Sequence, residues 1–358
     1  MRILVYGAGA IGSFVGGLLQ RAGNEVTLLC REEHAAAIKK DGLKVEGLTS
    51  FTCGPTTITS SSSSLEVDLV ILTTKAYDTE AAAAEIAGLS PVPVLSLQNG
   101  LDNHVALHRC LGFDRVFVGT TSIGVTLLGP GRVRHAGNGT TKVGEPAPQA
   151  DATMSKMIAT LLTTAGLPTE RSPDILSDVW KKGVVNNAIN PLTAVHRCLN
   201  GRIADDPELR GEALDLALEA EEVGSRLGRD VKGASLLAFR VARETRENRS
   251  SMLQDVERGK RTEIDAITGV IVREAHAFGI PVPKSEAMLE KVRALERGGR
   301  SAGAPEESSS DSSTRVSSQD SSSPRRPQAR SRTPARSASA PRKKAGRPKG
   351  STKRRSRD

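Results

Sequence analysis

The sequence predicts an α/β chain in three parts: a parallel-sheet domain over residues 1–170, an all-helical domain over 171–296, and a disordered basic tail over 297–358. Three observations carry this. Arg2–Tyr6 is a short β-rich run followed by Gly-Ala-Gly-Ala-Ile-Gly and then a helical pattern from Ala10 to Ala22, closed by Gly23. Further apolar strand patterns recur to about Gly144, after which helical periodicity takes over. From Arg300 the chain is Ser, Pro, Arg and Lys with almost no large apolar residue, so burial cannot offset the entropy of ordering it.

The first turn decides the class of the sheet domain. Gly7 permits a tight turn, Gly9 lets the backbone approach a pyrophosphate, and Gly12 lets the helix pack closely while its N-terminus faces the anion. Directly after the first strand and opening a helix, Gly7, Ala8, Gly9, Ala10, Ile11 and Gly12 read as the phosphate turn of a Rossmann-type dinucleotide-binding domain. The second strand, Glu25 to Cys30, ends in Arg31, where an NAD site offers an acidic residue to the ribose hydroxyls. A guanidinium suits a 2′-phosphate instead and points to NADP(H). Pairing of Arg31 with Glu32 or Glu33 in solvent is the competing reading.

Leu43 to Val45 and Phe51 to Cys53 form a predicted hairpin, and Val67 to Thr73 and Val94 to Leu97 are buried strands. Lys75 and Asn99 stand just beyond the carboxyl ends of these two, the edge at which open α/β sheets bind ligands. Strands over Arg115–Thr120, Gly124–Leu128, Arg132–Ala136 and Thr141–Gly144 complete the domain. Helices follow over Asp151–Ala165, from about Asp174, over Pro207–Leu227 and Val231–Asn248, and after Thr262. Thr262 and Asp265 have capping-box spacing, which puts Glu263 in the first turn of a helix whose apolar stripe is Ile264, Ile267, Ile271, Ala275 and Phe278.

The stretch Trp180–Pro191 bears the chemistry. Asn186 and Asn190 follow Lys182 by four and eight positions and, at about 100° per residue, drift only about 80° around a helix. An amine and two amides therefore face one cleft, and Pro191 is expected to end the helix. A solvated surface lysine is the alternative, but asparagines are poor helix formers that gain little on an exposed face.

Charge divides along the same boundary. The 17 Lys and Arg against 5 Asp and Glu from Arg297 onward give +12, and the whole chain carries +9, so residues 1–296 carry −3. Arguments for nucleic acid thus concern the tail alone, where Lys343–Gly350 is similar to an AT-hook core with Ala345 in place of an arginine. Cys30, Cys53, Cys110 and Cys198 lack metal-ligand spacing, which fits a reducing compartment. No apolar run approaches the roughly 18 residues of a membrane span. A cytoplasmic protein is expected, with a nuclear address in the tail as the alternative, as a monomer or homodimer.

Six separated motifs then share one resemblance: GAGAIG at Gly7, TTKAYD at Thr73, QNG at Gln98, WKKGVVNNAINPLTA at Trp180, SSMLQD at Ser250 and RTEID at Arg261. In this order they resemble the ketopantoate reductase family over residues 1 to 296. The resemblance implies NADPH-dependent reduction of 2-dehydropantoate to pantoate on the path to coenzyme A. It implies Lys182 as the catalytic acid, with Lys181 beside it as the competitor for that register, and Asn186, Asn190, Asn200 and Ser251 as substrate contacts. It further implies cofactor or active-site-ordering roles for the glycine turn, Arg31, Lys75, Asn99, Val125 and Glu263. Whether Glu263 holds the ammonium or bonds the cofactor ribose stays open. A reductase of another branched 2-keto acid fits the same residue types, as does a nucleic-acid-associated protein using the tail.

Overall fold

The computed structural model describes residues 1–62 and 64–301; the basic stretch Lys343–Gly350 lies outside the described residues. The sheet half opens with β1 (Arg2–Tyr6), α1 (Ala10–Arg21), β2 (Glu25–Leu29), α2 (Glu32–Asp41), β3 (Leu43–Gly47), β4 (Phe51–Cys53) and β5 (Thr56–Ile58). It continues through β6 (Leu69–Leu72), α3 (Thr79–Ala87), β7 (Val94–Ser96), α4 (Asn103–Leu111), β8 (Val116–Thr121), β9 (Gly124–Gly129), β10 (Arg132–Gly137), β11 (Thr141–Gly144), α5 (Ala152–Thr164) and β12 (Thr169–Arg171).

Eight strands form one sheet in the order β12-β11-β8-β7-β6-β1-β2-β5. β1 pairs in parallel with β2 on one side and β6 on the other, so the chain reverses its direction of winding there and leaves a crevice at the carboxyl end of β1. Alternation along β1 covers both faces. Ile3 and Val5 join one apolar cluster with Phe14, Leu18 and Leu28, while Leu4 and Tyr6 join another with Val70, Leu72 and Val94. The predicted hairpin of β3 and β4 and that of β9 and β10 combine into a second, four-stranded sheet, with β3 and β10 parallel.

The helical half comprises α6 (Ile175–His196), α7 (Asn200–Asp205), α8 (Pro207–Arg226), α9 (Ala234–Glu244), α10 (Ser251–Glu257), α11 (Thr268–Phe278) and α12 (Pro283–Ser301). It has its own core around Trp180, Val184, Ala188, Leu216 and Ile271. None of the described helices is long and apolar enough to cross a membrane.

Three expectations are corrected. Helix α6 runs through Pro191 to His196. Leu192 and Ala194 beyond the proline are wholly buried in the bundle. Burying a leucine-sized side chain gains about 1.5–3 kcal/mol, enough to offset much of the ~3 kcal/mol cost of an interior proline. The last helix-start expectation also fails: α11 begins at Thr268, and Glu263 lies in a run of turns before it. Thr262 Oγ1 accepts from Ile264 N (3.2 Å) in a local turn, and the Asp265 carboxylate is held by Arg293 Nε (2.9 Å), so neither caps a helix. Of the stripe named for that helix, Phe278 is exposed. Finally, the helix expected over Val231–Asn248 is confined to Ala234–Glu244, opening after Gly233 at φ 78° and ending where Thr245 Oγ1 donates back to Val241 O (2.7 Å).

Candidate active site

The glycine turn has the geometry its sequence requires. Gly7 sits at φ 93°, and a Cβ there would meet Thr74 N at 2.8 Å. A Cβ on Gly12 would meet Gly7 O at 2.9 Å and Val5 Cγ1 at 3.1 Å, so α1 can pack this close to β1 only without one. Gly9 is open: a Cβ there would have nothing nearer than Gly7 O at 4.0 Å. Helix α1 starts at Ala10 with no side chain among the described residues capping its N-terminus and no acidic residue in its first turn. Its first N–H groups and dipole thus face an unobstructed space, a fit for the pyrophosphate of a dinucleotide.

His34 braces this end from below. Its Nδ1 accepts from Gly131 N (3.0 Å), which leaves Nε2 as the donor to Ser13 Oγ (2.9 Å). The ring is buried, and burial lowers its pKa, keeping it neutral. Arg31, three residues earlier, is exposed at the end of β2, and its carbonyl starts α2 by accepting from His34 N and Ala35 N, both at 3.0 Å. Val125 lies in β9, partly buried against the sheet core and opposite His135.

The carboxyl ends of β1, β6 and β7 are stitched together. Thr73 Oγ1 donates to Gly7 O (2.8 Å), and Gln98 Nε2 donates to Thr74 O (3.2 Å). Beyond these strands the side chains form a chain of contacts into the helical half. Lys75 Nζ donates to Asp255 Oδ2 (2.6 Å) and lies 3.4 Å from Glu263 Oε2. Glu263 also accepts from Ala76 N (3.2 Å) and Asn99 Nδ2 (3.3 Å). Asn99 Oδ1 in turn accepts from Lys182 Nζ (2.8 Å). One amide thus joins the carboxylate to the amine, and the two contacts fix which way the amide faces.

Burial pushes the Lys182 amine down to about 8, against a raising contribution from the Glu263 carboxylate. Lys75 differs: burial would lower it, but the Glu263 and Asp255 carboxylates outweigh burial and raise it. Lys181 points away from the cleft and pairs with exposed Asp230 at 2.9 Å. The narrow cavity beside Lys182 is lined by Asn99, Thr120, Asn186 and Ile267, among others.

Among the residues singled out from sequence, Lys75, Asn99, Lys182 and Glu263 are therefore brought into one hydrogen-bonded group, with Asn186 on the wall of the same cavity. Asn190 is buried one helical turn further on. Thr193 Oγ1 donates to its carbonyl at 2.9 Å and lies 2.7 Å from Ser250 Oγ. Ser250 caps α10, which leaves Ser251 exposed as the first residue of that helix. Asn200 opens α7 and donates to Thr245 Oγ1 (2.9 Å), while its buried Oδ1 has no partner among the described residues. Asp255 was not singled out as a site residue. Its one sequence signal is the sixth place in SSMLQD, on a short helix the periodicity does not reveal.

An uncapped glycine turn at a sheet switch point, joined through side chains to an amine of lowered pKa, defines a dinucleotide-dependent oxidoreductase. Residues 3–148 match the family model "Ketopantoate reductase PanE/ApbA" and residues 174–296 match "Ketopantoate reductase PanE/ApbA C terminal". The chain belongs to the ketopantoate reductase family. It is 40% identical over 297 residues to a 2-dehydropantoate 2-reductase of Archaeoglobus fulgidus, covering 83% of this chain and 98% of that one. A crystal structure of a PanE/ApbA family ketopantoate reductase from Ralstonia eutropha superposes with a TM-score of 0.78 at 32% identity, over 84% of this chain and 100% of that one. The ternary structure of D-mandelate dehydrogenase with NADH and anilino(oxo)acetate superposes with a TM-score of 0.79 at 26% identity, over 84% of this chain and 99% of that one.

Proposed function

We propose that this chain reduces 2-dehydropantoate to pantoate with NADPH, the step its family name describes. The observation that carries the proposal is the Lys182 amine, held by Asn99 at the same edge of the sheet as the open glycine turn. When bound, the nicotinamide supplies the hydride. Lys182 Nζ stabilises the negative charge that builds on the keto oxygen and transfers a proton to it; solvent then restores the ammonium. An amine near 8 is mostly protonated at neutral pH yet gives up its proton more readily than a free lysine. Asn99 keeps the ammonium aimed, and Glu263 keeps Asn99 aimed. Asn186, Asn190, Asn200 and Ser251 supply amide and hydroxyl partners for the substrate's carboxylate and hydroxyl groups. Arg31 holds the 2′-phosphate that separates NADPH from NADH.

A second reading is supported by the likeness to D-mandelate dehydrogenase, whose ternary structure holds NADH and anilino(oxo)acetate. The two are separated by following NADPH oxidation by the purified full-length protein across 2-dehydropantoate, 2-oxoisovalerate and phenylglyoxylate. The highest kcat/KM is expected with 2-dehydropantoate. A higher value with either of the others would replace that substrate, and no oxidation with any of the three would reject the reductase.

A further inference from the structure

Leu101 stands two residues past Asn99 on the loop that follows β7, in the sheet half of the chain. Its side chain nevertheless belongs to the core of the helical half, where every other buried member of that cluster comes from Trp180 onward. It is 2% exposed. The place it occupies is the notch left by Gly183, the residue next to Lys182 in α6. A Cβ on Gly183 would overlap Leu101 Cδ2 and come within 3.3 Å of Leu101 Cγ. The same loop is tied at two more points. Leu101 N donates to Ala266 O (3.0 Å), three residues past Glu263, and Asn103 Nδ2 donates to Asn99 O (2.7 Å). Gly100, at φ 120°, makes the bend, and a Cβ there would meet Asn103 Nδ2 at 2.7 Å.

The loop bearing Asn99 is therefore fastened next to each of the two groups that Asn99 bridges: beside Lys182 through the Gly183 notch, and close to Glu263 through Ala266. We infer that Leu101 is a positioning residue, whose seat in the Gly183 notch sets the contact between Asn99 and Lys182 and so the aim of the proton donor. This deepens the reductase reading and rests on it. A methyl added at position 183 must push Leu101 out of its present seat, whereas the same methyl fits without displacement if the leucine is shortened.

The test compares Gly183→Ala, Leu101→Ala and the double variant with wild type, as full-length protein with NADPH and 2-dehydropantoate. Displacing groups by about 1 Å costs up to about a hundredfold, so Gly183→Ala is expected to lower kcat by about tenfold to a hundredfold while leaving KM for NADPH within about twofold. The double variant is expected to recover about fivefold or more of that loss, since the new methyl enters the space the leucine leaves. The alkaline limb of the kcat profile should also move to lower pH in Gly183→Ala, because the ammonium has lost an acceptor that favours its charged form. Wild-type kcat and an unmoved limb in Gly183→Ala of native thermal stability would overturn the inference, as would a loss the double variant does not relieve. If Gly183→Ala does not fold, Leu101→Val must show the lowered kcat and shifted limb, and an unchanged enzyme overturns the inference.

The pH dependence of Lys182 modification by an amine reagent, read on its peptide by mass spectrometry, reports the same contact without turnover. A lower midpoint in Gly183→Ala, or in Leu101→Val in its place, supports the positioning role even if the substrate assignment fails. An equal midpoint sinks that role even if the assignment stands.

Discussion

At the glycine turn the groups offered to a ligand are main-chain N–H groups at the start of α1, laid open because Gly9 has no side chain and none caps the helix. In the cleft the group is one amine, held by Asn99 from the loop after β7, which is held in turn by Glu263 from the turns before α11, 164 positions away in sequence. The turn is specific because a left-handed backbone at Gly7 and close neighbours at Gly12, Gly7 O and Val5 Cγ1 among them, leave no room for Cβ atoms at either position. The cleft is specific because a part-buried polar relay leaves each member few alternative partners. The two should therefore fail differently: a change in the turn costs binding, and a change in the relay costs rate.

The sharpest break is Lys182→Ala. Removing a general acid costs about 10² to 10⁴ in kcat, with NADPH affinity nearly intact; single-turnover kinetics beside a fluorescence titration of NADPH would separate the two. Near-normal turnover, or a loss that follows Lys181→Ala instead, would remove Lys182 from this role. At the other end, Gly12→Val puts a branched side chain where even a Cβ lies 2.9 Å from Gly7 O. It should weaken both NADPH and NADH by about a hundredfold, since the turn and helix must separate and the main-chain donors lose their alignment. Equal cofactor affinity in a folded Gly12→Val protein would show that the turn is not the pyrophosphate site.

Arg31→Ala sharpens the comparison within the cofactor end. Loss of a charge-assisted contact of about 1.5–3 kcal/mol corresponds to roughly 10- to 150-fold weaker NADPH, with NADH little changed. Equal losses for both cofactors would show that Arg31 does not read the phosphate. The mildest perturbation is pH. The donor form of Lys182 is the ammonium, and its pKa is lowered to about 8, so kcat should hold below that value and fall as pH rises through it. A free lysine would keep its proton to about pH 10, so a plateau extending there would show that the acid is another group or an unburied amine.

Legibility in the sequence follows the same division. The glycine turn is a local object: a strand, a turn and a helix in consecutive residues, with each glycine needed for a reason that involves close neighbours. Lys182 and Asn186 were legible through helical phase alone, which a four-residue spacing preserves. The relay was not. Asn99 bridges partners 83 and 164 positions away in sequence, and Lys75 meets Asp255 across 180 positions; no periodicity encodes such meetings. Local rules even misled where packing outweighed them. Pro191 reads as a stop until the buried residues beyond it are counted, and Thr262 with Asp265 reads as a helix start until Arg293 takes the aspartate.

Arg31 has a last consequence, for how readily such a protein changes its coenzyme. The residue serves the fold through its carbonyl, which starts α2, while its side chain stands exposed at the sheet edge. Any amino acid supplies that carbonyl. On the proposed role of Arg31 the position is editable: exchanging the guanidinium for a carboxylate is expected to redirect the preference toward the unphosphorylated ribose with little change in stability. With Arg31 as the proposed phosphate reader, drift between phosphorylated and unphosphorylated dinucleotides is expected to cost the fold little, whereas Cβ atoms at Gly7 and Gly12 are excluded by their neighbours.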